Sequence, residues 1–584
     1  NATPPAACTV MLPFNSTRTF TPAAAGTNSA SYLNDPLWYA AKYGAPDSAT
    51  NDENNDGVPD NYFLVTNPAM LRAQLNEAFT NILDNSFPTA SVATSTPRYI
   101  PGATLAYEAS YTSTDWSGDV KAFRLKSDGT YNNAGPVTWS ASAKMPAAGA
   151  RNVYTATPIT GGFDGVPFTS AGLDTAMETR LLGTLDPALY TIDELIAFLK
   201  GDASNEAGAT GCLSAADCPY RQRGSRIGDI LNSTPAVAGV TSFGYGSILE
   251  TVAPGAAADY PAYVQGKKLI YGAKSETPIL YFGANDGMLH AIDGRDGTAG
   301  GVEEFAFIPN AVFDNLHELA EPGYMHRYYV DGTPTITDAY LGSWKTVLAA
   351  SVGAGGRGVY ALDISDPRNF DENDVMWEFN SSLDTDMGQF VGRPYIGITE
   401  GGTWVAAFGN GLNSANQRAI LYVRDLSTGA EIAKLDTGVG CSSLDNSCVE
   451  GPNGLATAVL VDNSGNGAAD TIYAGDYLGN MWRFELNSGT WSIGNSGNPI
   501  FKATDADGTP QSITSGAYTV ANPLGGTMVI FGTGRYLNPN DADETQIGVG
   551  TRADTDTIYG IWDSRIYNPA DGTWTAFFPI AGRA

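Results

Sequence analysis

The chain has 584 residues, 43% apolar and only 16% charged, with a formal net charge of −30. That apolar content can bury a large core and excludes wholesale disorder, while the excess of acid would repel phosphate backbones and anionic lipid, which argues against a nucleic-acid partner. No apolar run reaches the ~18 residues that a membrane-spanning helix needs, so none is predicted.

Gly (67), Tyr (29) and Trp (10) are plentiful and lysine is sparse, a mixture that predicts an all-β fold with many turns. The chain begins at Asn1 with no signal-peptide pattern, so it reads as a mature chain or a stretch of something longer. Residues 1–97 read as a linker or the tail of an upstream domain, carrying one acidic loop and one helix. The loop is DENNDGVPD, with side-chain oxygens on Asp52, Asn54, Asp56 and Asp60 and a backbone carbonyl at Val58. Calcium takes six to eight oxygen ligands from a loop able to wrap it, and this spacing with glycine at position 6 supplies such a set. It matches the opening of an EF-hand loop, but Phe63 stands where the bidentate Glu would be. The predicted helix starts at Asn67-Pro68, an N-cap followed by an N1 proline, and carries an apolar stripe of Leu71, Leu75, Phe79 and Ile82.

From residue 98 to 584 the dominant signal is repetition. ILYFGANDGMLHAIDG, TVLAASVGAGGRGVYALDIS and TIYAGDYLGNMWRFEL each read as a strand, a tight turn and a second strand. Looser copies surround Gly409 and Gly532, and the marker glycines Gly283, Gly353, Gly409, Gly475 and Gly532 are spaced by 70, 56, 66 and 57 residues. With YEASYTSTDWSGDVKAFRL and GDILNSTPAVAGV as further copies, the pattern predicts a modified β-propeller of about seven blades. A helical insert is predicted near 186–220, where TIDELIAFLKG carries a Thr191/Glu194 capping box. Cys212 and Cys218 bracket five residues and Cys441 and Cys448 bracket six, spacings that suit local disulfides in an extracytoplasmic protein, and leave Cys8 over. A second acidic loop, DNSGNGAAD, repeats the calcium spacing with Asp462, Ser464, Asn466 and Asp470 as side-chain donors and Ala468 as carbonyl donor. Fewer acids there predict weaker binding.

No catalytic constellation is apparent, so no enzymatic activity is predicted. Glu303 and Glu304 are adjacent and face opposite sides of a strand, GAGGRG lacks a Walker ending, and His290 reads as a half-buried packing residue. His326 and Arg327 have no evident partner in the sequence.

Taken in order, WYAAKYG, DNYFLVTNP, RIGDILNSTP, GANDGMLHAID, HRYYVDGTP, GAGGRGVYALDISDP, FGNGLNS, DNSGNGAADTIYAGDYLGNMWRF and FGTGRYL resemble the C-terminal region of PilY-type proteins, tip-associated factors of bacterial type IV pili. The resemblance implies a propeller following a von Willebrand factor A-like domain, whose tail residues 1–97 would hold, and a propeller calcium loop at Asp462–Asp470. It further implies an exported, surface-exposed protein at the pilus tip that binds minor pilins and balances assembly against retraction. Adhesion to host or abiotic surfaces and twitching motility would follow. Two alternatives are a periplasmic pyrroloquinoline-quinone dehydrogenase, whose propeller motifs look similar, and a glycan-binding propeller adhesin. The first lacks its expected adjacent cysteine pair here.

Overall fold

In the computed structural model the described residues are 89–94, 104–126, 137–210, 218–271, 277–441, 451–536, 555–568, 570 and 573–576. The chain divides into two units, Asn1–Ser86 and Phe87–Ala584. The first lies outside the described residues, and with it the predicted loop Asp52–Asp60, the helix predicted from Asn67-Pro68, and Cys8.

The second unit is mostly β. Its strands gather into sheets in chain order, nearly all antiparallel. Thr89–Thr94, Leu105–Thr112, Ser117–Arg124 and Trp139–Ser140 make the first sheet. Three four-to-five-stranded sheets are centred on the hairpins Trp344–Ser351/Gly358–Asp363, Trp404–Gly409/Ile420–Asp425 and Thr471–Gly475/Asn480–Asn487. A three-stranded sheet around Thr527–Gly532/Ile558–Asp563 and the hairpin Arg565–Asn568/Thr573–Ala576 follow. Each central hairpin coincides with a repeat copy read from the sequence. Ile279–Ala284 and Met288–Asp293 are wholly buried, because sheets stacked on both faces leave no solvent side, whereas Thr527–Gly532 and Ile558–Asp563 are only partly buried. The last two sheets are smaller than the rest, so the strands do not by themselves count blades.

The sheet containing Ile279–Ala284 departs from the simple repeat. It has six strands, because the upstream hairpin Val153–Ile159/Gly162–Pro167 adds to its outer edge. Val153–Ile159 runs parallel to Glu303–Ile308, with Ala306 opposite Val153.

Turn acids fix the hairpins. Asp476 is fully buried and accepts hydrogen bonds from Leu478 N (3.0 Å), Asn480 N (2.8 Å) and Trp482 Nε1 (2.8 Å), so one carboxylate closes the turn and anchors a core tryptophan. Asp286 accepts from Met288 N at 3.1 Å in the equivalent turn.

Among the described residues, two α-helices of eight or more residues, Thr175–Leu182 and Pro254–Tyr271, were not foreseen. Thr175–Leu182, capped by the Asp174 carboxylate accepting from Met177 N (2.8 Å), starts the helical insert before residue 186. Ile192–Leu199 is the predicted helix, with its Thr191/Glu194 capping box in place and Leu195, Ile196, Phe198 and Leu199 buried. Pro254–Tyr271 packs on the sheet built around Trp344–Ser351. There Lys267 Nζ meets both Asp338 oxygens at 2.8 Å, and Trp344 Nε1 donates to the Ala256 carbonyl at 2.8 Å. No helix among the described residues is long and apolar enough to cross a membrane. Cys218 and Cys441 are disulfide-bonded, and their expected partners Cys212 and Cys448 lie outside the described residues.

Candidate functional site

The loop Asp462–Asp470 joins Val459–Val461 to Thr471–Gly475, whose facing ends pair as Val461 with Thr471. Asp462 and Asp470 are therefore the first and last residues of one hairpin loop. Asp462 is exposed and gathers the turn beneath it: its Oδ1 accepts from Gly465 N (2.6 Å), Asn466 N (3.2 Å) and Ser464 Oγ (3.1 Å), and its Oδ2 from Gly467 N (2.7 Å). Asp470 is fully buried, with Oδ2 accepting from Asn463 N (3.0 Å) and Ser464 N (2.9 Å) and Oδ1 from Thr471 Oγ1 (2.6 Å). Gly467, at the predicted turning position, has φ +92°, and a Cβ there would lie 2.4 Å from the Ile248 carbonyl oxygen. Both the conformation and the space require glycine.

A residue absent from the sequence reading completes the group. Glu400, in the turn between Tyr395–Ile398 and Trp404–Gly409, accepts from Ser464 Oγ (3.2 Å) and from Asn466 Nδ2 (3.1 and 2.9 Å). It stands 62 residues before Asp462, and no spacing rule links the two. The loop also bonds to sheets on either side: Ala469 N donates to the Ile398 carbonyl (2.7 Å), and Asn463 Nδ2 to Thr527 Oγ1 (3.0 Å).

All five sequence-predicted donors of this loop, Asp462, Ser464, Asn466, Ala468 and Asp470, thus fall within one hairpin. Among the described residues no Lys or Arg pairs with Asp462, Asp470 or Glu400. Burial pushes the Asp470 carboxyl up to about 7, and the Asp462 charge adds to this, against hydrogen bonds from Thr471, Ser464 and Asn463 that lower it. No group of three His, Cys, Asp or Glu able to hold a metal is found among the described residues. The donors here are instead mixed oxygens, carboxylate, hydroxyl, amide and carbonyl. That set suits a hard cation of the calcium type and no thiolate- or imidazole-seeking metal.

Other acids and histidines form structural networks. Glu303 and Glu304 do face opposite ways. Glu303 is buried, with Oε2 accepting from Arg151 Nε (2.6 Å) and Oε1 from Arg151 Nη2 (2.8 Å) and His290 Nδ1 (2.8 Å), whereas Glu304 lies 3.4 Å from Arg368. His290 is fully buried rather than half-buried, because Asp286 and Glu303 satisfy both ring nitrogens. His326 does have a partner: its Nε2 lies 2.9 Å from Asp229 Oδ2, and its ring stacks on Trp116 at 3.7 Å. The GAGGRG stretch is a close-packed corner, not a phosphate cradle; a Cβ on Gly355 would sit 1.8 Å from the Tyr329 carbonyl oxygen.

Comparisons with known proteins agree with this architecture. The family model described as the PilY1 beta-propeller domain matches residues 227–576. A type IV pilus biogenesis factor PilY1 homolog of Xylella fastidiosa is 37% identical, the match covering 97% of this chain and 39% of that protein. The type IV pilus biogenesis factor PilY1 of Pseudomonas aeruginosa strain PAK is 33% identical over 88% of this chain and 44% of that protein. The chain thus spans less than half the length of these curated relatives. The crystal structure of the Pseudomonas aeruginosa PilY1 C-terminal domain is 35% identical, covering 56% of this chain and 64% of that one, with a TM-score of 0.45. The chain belongs to the PilY1 family of type IV pilus biogenesis factors, and residues 227–576 form its PilY1 β-propeller domain.

Proposed function

We propose that this chain serves type IV pilus biogenesis at the pilus tip, and that its loop Asp462–Asp470 holds Ca²⁺. Family membership supports the pilus role. The observation that carries calcium is the run of oxygen donors from Asp462 to Asp470 on one hairpin loop, its two carboxylates having no basic partner among the described residues. Asp462, Ser464, Asn466, the Ala468 carbonyl and Asp470 would hold the ion. Bound there, Ca²⁺ supplies the positive charge that these carboxylates lack. The chain's own residues do the positioning: Asp470 ties the loop start to its end, and Glu400 orients Ser464 and Asn466 from the neighbouring sheet. The loop Asp52–Asp60, with Asp52, Asn54, Asp56, Val58 and Asp60, is a second Ca²⁺ site on the sequence reading alone. We read the protein as non-enzymatic, exported through the periplasm to the cell surface. There it would contact minor pilins, balance assembly against retraction, and contribute to surface adhesion and twitching motility.

Calorimetric titration of Ca²⁺ into the purified chain and its Asp470→Asn variant tests the loop. Asn keeps the volume and one acceptor, so the variant should fold but bind one ion at least about tenfold more weakly, as loss of a charged ligand implies. In cells lacking the endogenous factor, the full-length variant should restore twitching less well than the parent. Unchanged Ca²⁺ affinity and stoichiometry would remove the site.

A further inference from the structure

A cleft of about 660 Å³ opens where loops from five successive sheets converge. Its walls include Tyr328, Asp331, Phe390, Arg393, Tyr477 and Tyr536. The volume lies within the range of small-molecule sites, which combine apolar walls with a few placed polar groups.

Two of the aromatic walls, Tyr328 and Tyr536, are held out for contact, while Tyr477 is buried. Tyr536 is 73% exposed and Tyr328 38% exposed. Tyr328 is set edge-on against His326 at 5.4 Å, and His326 is itself fixed by Trp116 and Asp229. Phe390 has φ +57°, a left-handed conformation unusual for a bulky side chain, held by its N–H donating to the Gly353 carbonyl at 3.0 Å.

The polar groups are an acceptor and a donor without salt-bridge partners. Asp331 is 4% exposed, and its two oxygens accept from Asn232 N (3.0 Å) and Nδ2 (2.6 Å); no Lys or Arg pairs with it among the described residues. Burial pushes its carboxyl up to about 6 despite the Asn232 bonds. Arg393 is exposed and uses Nε on Thr335 Oγ1 (2.8 Å), leaving its two terminal nitrogens without an acid among the described residues.

Flat aromatic faces beside one carboxylate and one guanidinium match a ring that is apolar on its faces and hydroxylated around its edge. We propose that this cleft binds a saccharide, its ring stacked on Tyr328 and Tyr536, with Asp331 accepting from a hydroxyl and Arg393 donating to ring or substituent oxygens. The net charge of −30 selects neutral or singly acidic sugars over polyanionic chains. The site deepens the surface-adhesion reading and does not depend on the calcium loop.

Saturation-transfer NMR with the purified chain tests it, using galactose, mannose, N-acetylglucosamine and N-acetylneuraminic acid at millimolar concentration. At least one should show transfer. Its affinity should fall about tenfold in Tyr536→Ala and in Asp331→Asn, as loss of a stacked ring or a charged acceptor implies. Tyr536 is exposed, so its variant leaves the core intact, and both variants should keep the parent Ca²⁺ titration, while Asp470→Asn keeps sugar binding. Absence of transfer from all four sugars, or transfer that survives both substitutions, would overturn the proposal. So would retention on this face of extended peptides instead of sugars.

Discussion

Glu303→Gln offers a sharp test of how this core is charged. The Glu303 carboxylate accepts three bonds, from Arg151 Nε, Arg151 Nη2 and His290 Nδ1, and both donor residues are buried. Glutamine can retain the two acceptor contacts at one oxygen. Its amide then faces Arg151 Nε, donor against donor. One charge-assisted bond worth about 1.5–3 kcal/mol is lost, and two others weaken toward neutral strength by about 1 kcal/mol each. The sum, about 3–5 kcal/mol, agrees with the usual cost of breaking a buried ion pair from one side. The pH profile gives an independent signature. Burial alone would lower His290, but Asp286 and Glu303 raise it to about 9, above its unfolded value near 6.5. Its contribution is therefore complete below about pH 6.5 and is lost as pH rises through about 9, up to about 3 kcal/mol in all. Urea unfolding of parent and variant from pH 6 to 9.5 measures both effects. The variant should start several kcal/mol lower and decline less steeply. A cost under about 1 kcal/mol, or parallel declines, would refute the assignment of Glu303 as the shared anion.

Lys267→Met should cost about 3 kcal/mol by leaving Asp338 buried and unpaired, and adding Asp338→Asn should recover at least half, read from the same urea midpoints. Gly467→Ala should destabilise by at least about 2 kcal/mol, since the left-handed backbone and the Ile248 carbonyl both oppose a methyl group; an effect below 0.5 kcal/mol, roughly the size of a neutral surface change, would contradict it. Glu400→Gln should weaken Ca²⁺ binding at Asp462–Asp470 by roughly thirtyfold, the ~2 kcal/mol worth of one negative charge about 4 Å from a divalent ion in water, without changing stoichiometry in a calorimetric titration.

Local chemistry carried much of the sequence reading. The strand–turn–strand copies were visible because Asp476 and Asp286 belong to turns in which each acid bonds groups two to six residues further on. The Thr191 capping box and the loop Asp462–Asp470 were visible for the same reason. Features set by distant partners were not. Pro254–Tyr271 carries Pro261, two internal glycines and no clear apolar stripe, and it is held by Asp338 and Trp344 from another element. Glu400 reaches the loop Asp462–Asp470 only through the stacking of two sheets, as Ala469 against Ile398 shows. Tyr328, Asp331, Phe390 and Tyr536 meet only where separate loops converge, so no local pattern marks the cleft.

The parallel pairing of Val153–Ile159 with Glu303–Ile308 sets an order of events as the chain leaves the ribosome or is released unfolded. The hairpin Val153–Ile159/Gly162–Pro167 can zip by itself, but its outer-edge seat does not exist until Ile308 is available, some 150 residues later. At synthesis rates of about 5–20 residues per second that wait lasts roughly 8–30 s, with a strand edge open throughout. Closing so long a loop is slow, because its entropy must be surrendered before the contacts reward it. Completion of this one sheet is therefore the expected slow phase in refolding, and the interval in which neighbouring chains most readily pair edge to edge.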